Sequence, residues 1–126
     1  MPELEERAYF QRRLREEIAR CVRFHDVFDL MLLQSMPGPG YAPNRRQTQI
    51  AARLLERRLR ASDVVAAVYE DTIAVMLVGT GVEGLRDAEY RVRGALSGIG
   101  GSWHLTAWSY PEHSMVIQEL ELVTAA

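Results

Sequence analysis

The chain has 126 residues, a length that favours one domain rather than two. Its 48% hydrophobic and 25% charged residues exclude a disordered or collagen-like protein, and its net charge of −2 argues against a nucleic-acid coat protein. No apolar run approaches the roughly 20 residues of a membrane helix, and Cys21 is the single cysteine. We therefore expect a cytoplasmic protein that binds no DNA or RNA and inserts into no membrane.

All fifteen basic residues are arginine, and the sequence contains no lysine. One explanation is the codon usage of a GC-rich genome. The other is local recognition of an anion or nucleotide, because the planar arginine fork makes paired hydrogen bonds that lysine cannot make.

Helical and strand periodicities alternate along the chain. Phe10, Leu14 and Ile18 recur at helical spacing near the N-terminus, which predicts an amphipathic helix there. The predicted elements, in chain order, are a helix over 3–23, a buried strand over 27–33, a helix over 45–60, strands over 64–69 and 72–78, a helix over 82–97 and a strand over 102–110. Residues 114–123 fit either a short helix or a strand. This order predicts an α+β fold with a ferredoxin-like βαββαβ core, in which helices pack on one face of an antiparallel sheet.

The second predicted helix has a clear beginning and two distinct faces. Asn44 is its expected N-cap, after a Pro/Gly loop over 37–40. Its expected buried stripe consists of Ile50, Ala51, Leu54, Leu55 and Leu59. Arginines 46, 53, 57 and 60 form a second stripe, which is either a solvated face or a positive track for phosphates.

The residues between 60 and 77 carry a more specific pattern. Arg60-Ala61-Ser62-Asp63 is an RxxD motif placed directly before a strand, a short turn and an apolar strand. This segment resembles the centre of bacterial diguanylate cyclase (GGDEF) domains, in which RxxD precedes the hairpin that bears the signature turn. Glu6–Phe10 is similar to the family's entry into its first helix, Phe28–Leu33 to its first strand, and Tyr110–His113 to the end of a later strand.

The resemblance extends over nearly the whole chain. It implies a nucleotidyl-cyclase-like fold and a single bacterial, cytoplasmic GGDEF domain over 1–126. The N-terminal helix would occupy 1–23, the core 24–113 and a short C-terminal segment 114–126.

Three parts of the family's catalytic site are absent from the sequence. The signature turn is replaced by Tyr69-Glu70-Asp71-Thr72-Ile73, and Gln34-Ser35-Met36 stands where the family has metal-binding carboxylates. The short Pro37–Pro43 loop replaces most of a substrate-binding helix. Two-metal phosphoryl transfer needs carboxylates to hold the ions. We therefore predict a degenerate, catalytically inactive domain with no cofactor, no metal site and no requirement for Mg²⁺.

The RxxD motif implies a ligand instead of a reaction. In the family it forms the inhibitory site for the product, cyclic di-GMP, and a further arginine on the next helix contributes. The matching residues are Arg60, Asp63 and Arg91, with Arg57 as an additional candidate. An arginine fork can donate to guanine O6 and N7, and Asp63 can accept from the guanine N1–H and N2–H₂ groups. Alternatively, Arg60 and Asp63 form a local pair at a helix end and need no ligand.

Two classes of function remain open at this stage. The first is a cyclic di-GMP receptor that acts on an unidentified protein partner or through a homodimer, including a ligand-bridged one. The second is a structural scaffold or dimerisation module with a vestigial RxxD motif, in which the apolar seam of the N-terminal helix binds the partner. Because the segment after His113 is short, the last edge of the sheet is also expected to be open for pairing.

Overall fold

The computed structural model describes the backbone of residues 3–79 and 81–124. It contains five helices and four strands within those residues. In chain order they are α1 (Glu3–Phe24), β1 (Phe28–Met36), α2 (Arg45–Glu56), β2 (Val64–Tyr69), β3 (Thr72–Val78), α3 (Gly81–Ser97), β4 (Ser102–Tyr110), α4 (Ser114–Glu119) and α5 (Glu121–Thr124). The segment that fitted either a helix or a strand therefore forms two short helices.

The four strands form one antiparallel sheet in the order β2-β3-β1-β4. β1 lies in the interior, where Leu30 pairs with Met76 of β3 and with Trp108 of β4. Its apolar run is explained by this position, since helices cover both faces of the sheet. The predicted α+β fold with a ferredoxin-like core is confirmed.

Successive residues of β1 enter two separate cores. Phe28 and Leu30 face α1 and the C-terminal helices, and the Phe28 ring stacks on Tyr110 with 5.1 Å between ring centroids. Met31 and Leu33 face α2 and α3. The expectation of helices on one face holds for α2 and α3 alone, because α1, α4 and α5 cover the other face.

α2 begins as predicted and ends earlier. The Asn44 side chain accepts a hydrogen bond from the Gln47 N–H at 2.9 Å, which confirms the N-cap. The helix ends at Glu56, so the predicted end at residue 60 is wrong. The buried stripe consists of Thr48, Ala51, Ala52 and Leu55, whereas Ile50 and Leu54 are exposed.

The apolar seam of α1 lies inside the protein. Phe10, Leu14 and Cys21 are buried against the sheet, so this seam is not available to a partner as one of the predicted alternatives requires. Within residues 3–79 and 81–124, no helix combines the length and apolar character needed to span a bilayer.

The β2 edge of the sheet is closed by two charged side chains. Glu6 of α1 is buried and accepts a 3.3 Å hydrogen bond from the Ala67 N–H. Arg53 of α2 donates to Glu6 at 2.7 Å and to the Val65 carbonyl at 3.4 Å. Two outward backbone groups of β2, the Ala67 N–H and the Val65 carbonyl, are therefore bonded to side chains rather than left for another strand.

Candidate functional site

The RxxD motif forms a closed turn immediately before β2. The Asp63 N–H donates to the Arg60 carbonyl at 3.0 Å, and the Asp63 carboxylate accepts from the Arg60 N–H at 3.0 Å. The three-residue separation allows both bonds at once, and the Asp63 carboxylate reaches back to the Arg60 N–H as the acidic residue of a capping box does. The motif thus has a structural effect whether or not a ligand is present.

The two side chains of the motif differ sharply in exposure. The Asp63 side chain is 3% exposed, whereas that of Arg60 is 49% exposed. The Arg60 guanidinium donates from Nη2 to the Val78 carbonyl at 2.8 Å and lies 3.4 Å from the Asp63 carboxylate. Asp63 therefore positions Arg60, which presents its remaining donors to solvent. Neither Nε nor Nη1 of Arg60 has a hydrogen-bond partner among the described residues.

The structure brings Arg60, Asp63 and Arg91 together. All three line one cavity of about 150 Å³ between the segment after α2 and the first three turns of α3. Arg91 projects from α3, half exposed, and forms an ion pair with Asp87 one turn earlier. Arg57 caps the end of α2 and is not among the residues that line the cavity.

The cavity wall carries both hydrogen-bond donors and hydrogen-bond acceptors. The remaining lining residues are Leu59, Gly79, Gly84, Asp87 and Ala88. Two arginines and two aspartates make the wall formally neutral, and the small residues leave the guanidinium groups accessible. A guanidinium group can hydrogen-bond the edge of a base or stack on its face. A volume of about 150 Å³ accepts part of a nucleotide and leaves the rest in solvent.

The hairpin turn between β2 and β3 is held by neighbouring side chains. The Asp71 carboxylate accepts hydrogen bonds from Gln34 at 3.2 Å and from the Thr72 hydroxyl at 2.8 Å. The Glu70 carbonyl accepts from the Thr48 hydroxyl at 2.7 Å, and the Asp71 carbonyl from the Ser35 N–H at 2.8 Å. These contacts fix the turn and occupy the Asp71 carboxylate with protein donors.

A second, open cleft of about 600 Å³ lies beside this turn. Pro37, Pro43, Tyr69, Glu70 and Asp71 line it. Burial, and then the Glu121 carboxylate, raise the pKa of the Tyr69 hydroxyl. No group of three or more His, Cys, Asp or Glu side chains with metal-binding geometry occurs among the residues that the structure describes.

The sheet order and helix placement are shared with solved structures. The GGDEF domain of YfiN, also called TpbB, from Pseudomonas aeruginosa superposes with a TM-score of 0.66 at 22% identity, over 84% of this chain and 76% of that chain. The chain has a GGDEF-like fold. A DGC protein from Thermotoga maritima gives a TM-score of 0.73 at 22% identity over 91% of each chain. PelD residues 156–455 from P. aeruginosa PA14, in the apo form, superpose with a TM-score of 0.63 at 15% identity, over 92% of this chain and 45% of that chain.

These likenesses establish the GGDEF-like fold, which agrees with the resemblance carried by the sequence. No protein-family model matches the chain, and no curated protein matches it in sequence. The sequence identities to these solved structures are only 15 to 22%, so the comparisons assign neither an activity nor a ligand to this chain.

Sequence reasoning missed two groups at the cavity. Asp87 lies four residues before Arg91 on a helix, a spacing at which an acid and a base commonly pair, so this contact could have been anticipated. The Val78 carbonyl, which anchors Arg60, had no signal in the sequence, because it depends on how β3 ends beside α2.

Proposed function

We propose that this GGDEF-like domain is a catalytically inactive receptor for cyclic di-GMP, which it binds through Arg60, Asp63 and Arg91. The observation that supports the proposal most strongly is the shared cavity. Arg60 and Arg91 are 31 positions apart in sequence, yet they line one concave surface together with Asp63.

Each side chain has a distinct part in this proposal. Arg60 donates from one of its free nitrogens to O6 or N7 of a guanine, or stacks its guanidinium plane on the base. Arg91 exchanges its partner Asp87 for a ligand phosphate or a second guanine. Asp63 keeps Arg60 in place. Its buried carboxylate is less accessible to a ligand than the carboxylate of Asp87, which also lines the cavity. The ligand bound as an intercalated dimer, as the resemblance implies, would extend beyond the cavity and could bridge two subunits.

Catalytic inactivity is the second half of the proposal. The residues at the hairpin turn and at the end of β1 offer one accessible pair of carboxylates, Glu70 and Asp71, and Asp71 is already engaged by Gln34 and Thr72. A side chain at position 70, in place of glycine, also narrows the approach of a triphosphate. The domain then needs no Mg²⁺ to bind its ligand, since guanidinium groups rather than a metal ion contact the ligand.

Isothermal titration of the purified chain with cyclic di-GMP tests the proposal. We expect saturable binding with a Kd below about 100 μM, and much weaker binding of cyclic di-AMP because adenine presents an amino donor where guanine presents O6. Incubation with guanosine triphosphate and Mg²⁺ should yield no cyclic di-GMP. Absence of binding, or equal binding of both dinucleotides, would contradict the receptor role; detectable product would contradict inactivity.

Asp87 is expected to oppose ligand binding, because it pairs with Arg91 at the cavity. Substitution Asp87→Ala removes the ion pair that holds Arg91 and one negative charge from the cavity wall. Because an exposed pair at this spacing contributes about 0.5 kcal/mol, affinity for cyclic di-GMP should rise about twofold. Glu89→Ala is the matched control, since Glu89 pairs with Arg93 on the same helix and does not line the cavity. Titrations at equal salt should separate the two variants; weaker binding by Asp87→Ala would oppose the assignment of Arg91.

A scaffold or dimerisation module with a vestigial RxxD motif is the second candidate. It is favoured by the mutual hydrogen bonds of Arg60 and Asp63, which close the turn without a ligand. Under this function the chain binds no dinucleotide, and replacing Arg60 affects stability alone.

A further inference from the structure

The two edges of the sheet are treated differently by the fold. β2 is closed by Glu6 and Arg53, whereas β4 is the opposite edge, and no described residue forms a backbone hydrogen bond with the outer side of its residues 103–107. β4 is nine residues long and contains no Asp, Glu, Arg or Pro. Natural edge strands are usually protected by such residues, by bulges or by shortness. The β1–β4 register is continuous, so β4 has no bulge either.

Hydrogen bonds at one end of β4 show which backbone groups face outward. The Ser109 N–H donates to His113 Nδ1 at 3.0 Å, and the Ser109 carbonyl accepts from the His113 N–H at 2.7 Å. Since neither bond belongs to the ladder with β1, Ser109 points away from the sheet. By the alternation of an antiparallel ladder, Ala107, Leu105 and Trp103 point the same way. Their outward groups have no partner among the described residues.

We infer that a second copy of this chain pairs with β4 in an antiparallel arrangement whose two-fold axis passes through Leu105. The open stretch over 103–107 is centred on Leu105, and the His113 turn closes the position beyond it. In this register the outward groups of Trp103, Leu105 and Ala107 are all used, and the two copies exchange six backbone hydrogen bonds.

The side chains of β4 match this register. Trp103 lies opposite Ala107 of the partner subunit, and Trp108 lies opposite Ser102 of the partner subunit, so each large ring meets a small residue. Leu105 meets its own copy. The strand carries no charge that would be repelled by its copy.

A groove beside the edge provides room for the added strand. Its volume is about 270 Å³, and it lies between the C-terminal half of α3 and β4. Leu96, Trp103 and Leu105 contribute its apolar wall. Odd-numbered side chains of the second strand would project onto this same face, where the partner's Leu105 and the partner's Ala107 would enter the groove.

The oligomeric state of ligand-free protein tests the inference independently of cyclic di-GMP. Light scattering over about 1 μM to about 1 mM protein should show a mass approaching twice the 14.3 kDa of the monomer. Ala107→Pro removes one outward N–H without touching the ladder to β1, and should leave a monomer with unchanged circular dichroism. Ala107→Ser retains the donor and a similar volume, and should remain dimeric.

A cross-link tests the position of the two-fold axis. Paired residues that exchange hydrogen bonds lie about 5.5 Å apart at Cα, within the range of a disulfide. Leu105→Cys should therefore give a covalent dimer on mild oxidation, whereas Tyr90→Cys, exposed on α3, should not. The natural Cys21 does not interfere, because burial raises the pKa of its thiol to about 11. A monomer at all concentrations, a dimer that survives Ala107→Pro, or equal cross-linking of both cysteine variants would overturn the inference.

Discussion

We expect that replacing Arg60 with lysine will weaken cyclic di-GMP binding about tenfold, and that replacing it with alanine will weaken binding about 100-fold. The structure gives the reason for this order. The Nη2 group of Arg60 is held by the Val78 carbonyl, which fixes the guanidinium plane beside the cavity and leaves Nε and Nη1 without a partner among the described residues. Lysine keeps the charge but offers a single flexible ammonium that cannot be anchored and paired with a base edge at once.

Arg58 is the matched control for this experiment. It lies in the same turn, is exposed and does not line the cavity, so Arg58→Lys and Arg58→Ala should bind as the unchanged protein does. Titrations should be accompanied by circular dichroism, since Arg60 also contributes hydrogen bonds to the fold. Equal affinity of Arg60→Lys would refute the geometric argument and return the all-arginine composition to an effect of codon usage.

The Glu6→Ala substitution should lower the free energy of unfolding by about 3 kcal/mol. It leaves the buried Ala67 N–H without its acceptor, which costs about 1 to 3 kcal/mol, and it removes the partner of Arg53. Glu6→Gln retains an acceptor and loses the charge, so we expect it to lower the free energy of unfolding by about 1 kcal/mol. Urea unfolding followed by circular dichroism measures both changes.

Glu16→Ala, on the same helix, is the control for Glu6. Glu16 is exposed and lies 3.7 Å from Arg13, and surface pairs of this kind contribute about 0 to 1 kcal/mol. If Glu6→Ala unfolds with the same free energy as Glu16→Ala, then Glu6 does not close the β2 edge in solution. Loss of closure should also make Glu6→Ala more prone to aggregate, because it exposes an apolar edge strand.

Local patterns were sufficient to predict the elements and the fold class. Alternation and turn residues located both hairpin strands, and Asn44 located the start of α2. The end of α2 was wrong because Arg57, Arg58 and Leu59 are compatible with a helix. The chain instead tightens after Glu56 into three-residue turns, in which the Arg58 N–H donates to the Leu55 carbonyl and the Leu59 N–H to the Glu56 carbonyl. Helices on the second face were missed because nothing in the sequence of α1 says which side of a sheet it covers.

The residues of the candidate site were predicted through a resemblance, whereas their burial, exposure and contacts became known only from the structure. The RxxD spacing suggested a pair, but it did not reveal that Asp63 is buried and Arg60 is exposed. Glu6 could not have been foreseen, since its partners Arg53 and Ala67 lie 47 and 61 residues away. Such contacts depend on the packing of whole elements and have no local periodicity.

The closed β2 edge also limits how far association can proceed. A sheet with two open edges can add copies on both sides and grow into a fibre, whereas a sheet with one open edge is complete once that edge is paired. Glu6 and Arg53 lie 12 to 61 residues from the β2 groups that they bond, and they leave β4 as the single edge of the described sheet without such bonds. An ion pair that stabilises the monomer would therefore also set the stoichiometry of the assembly at two.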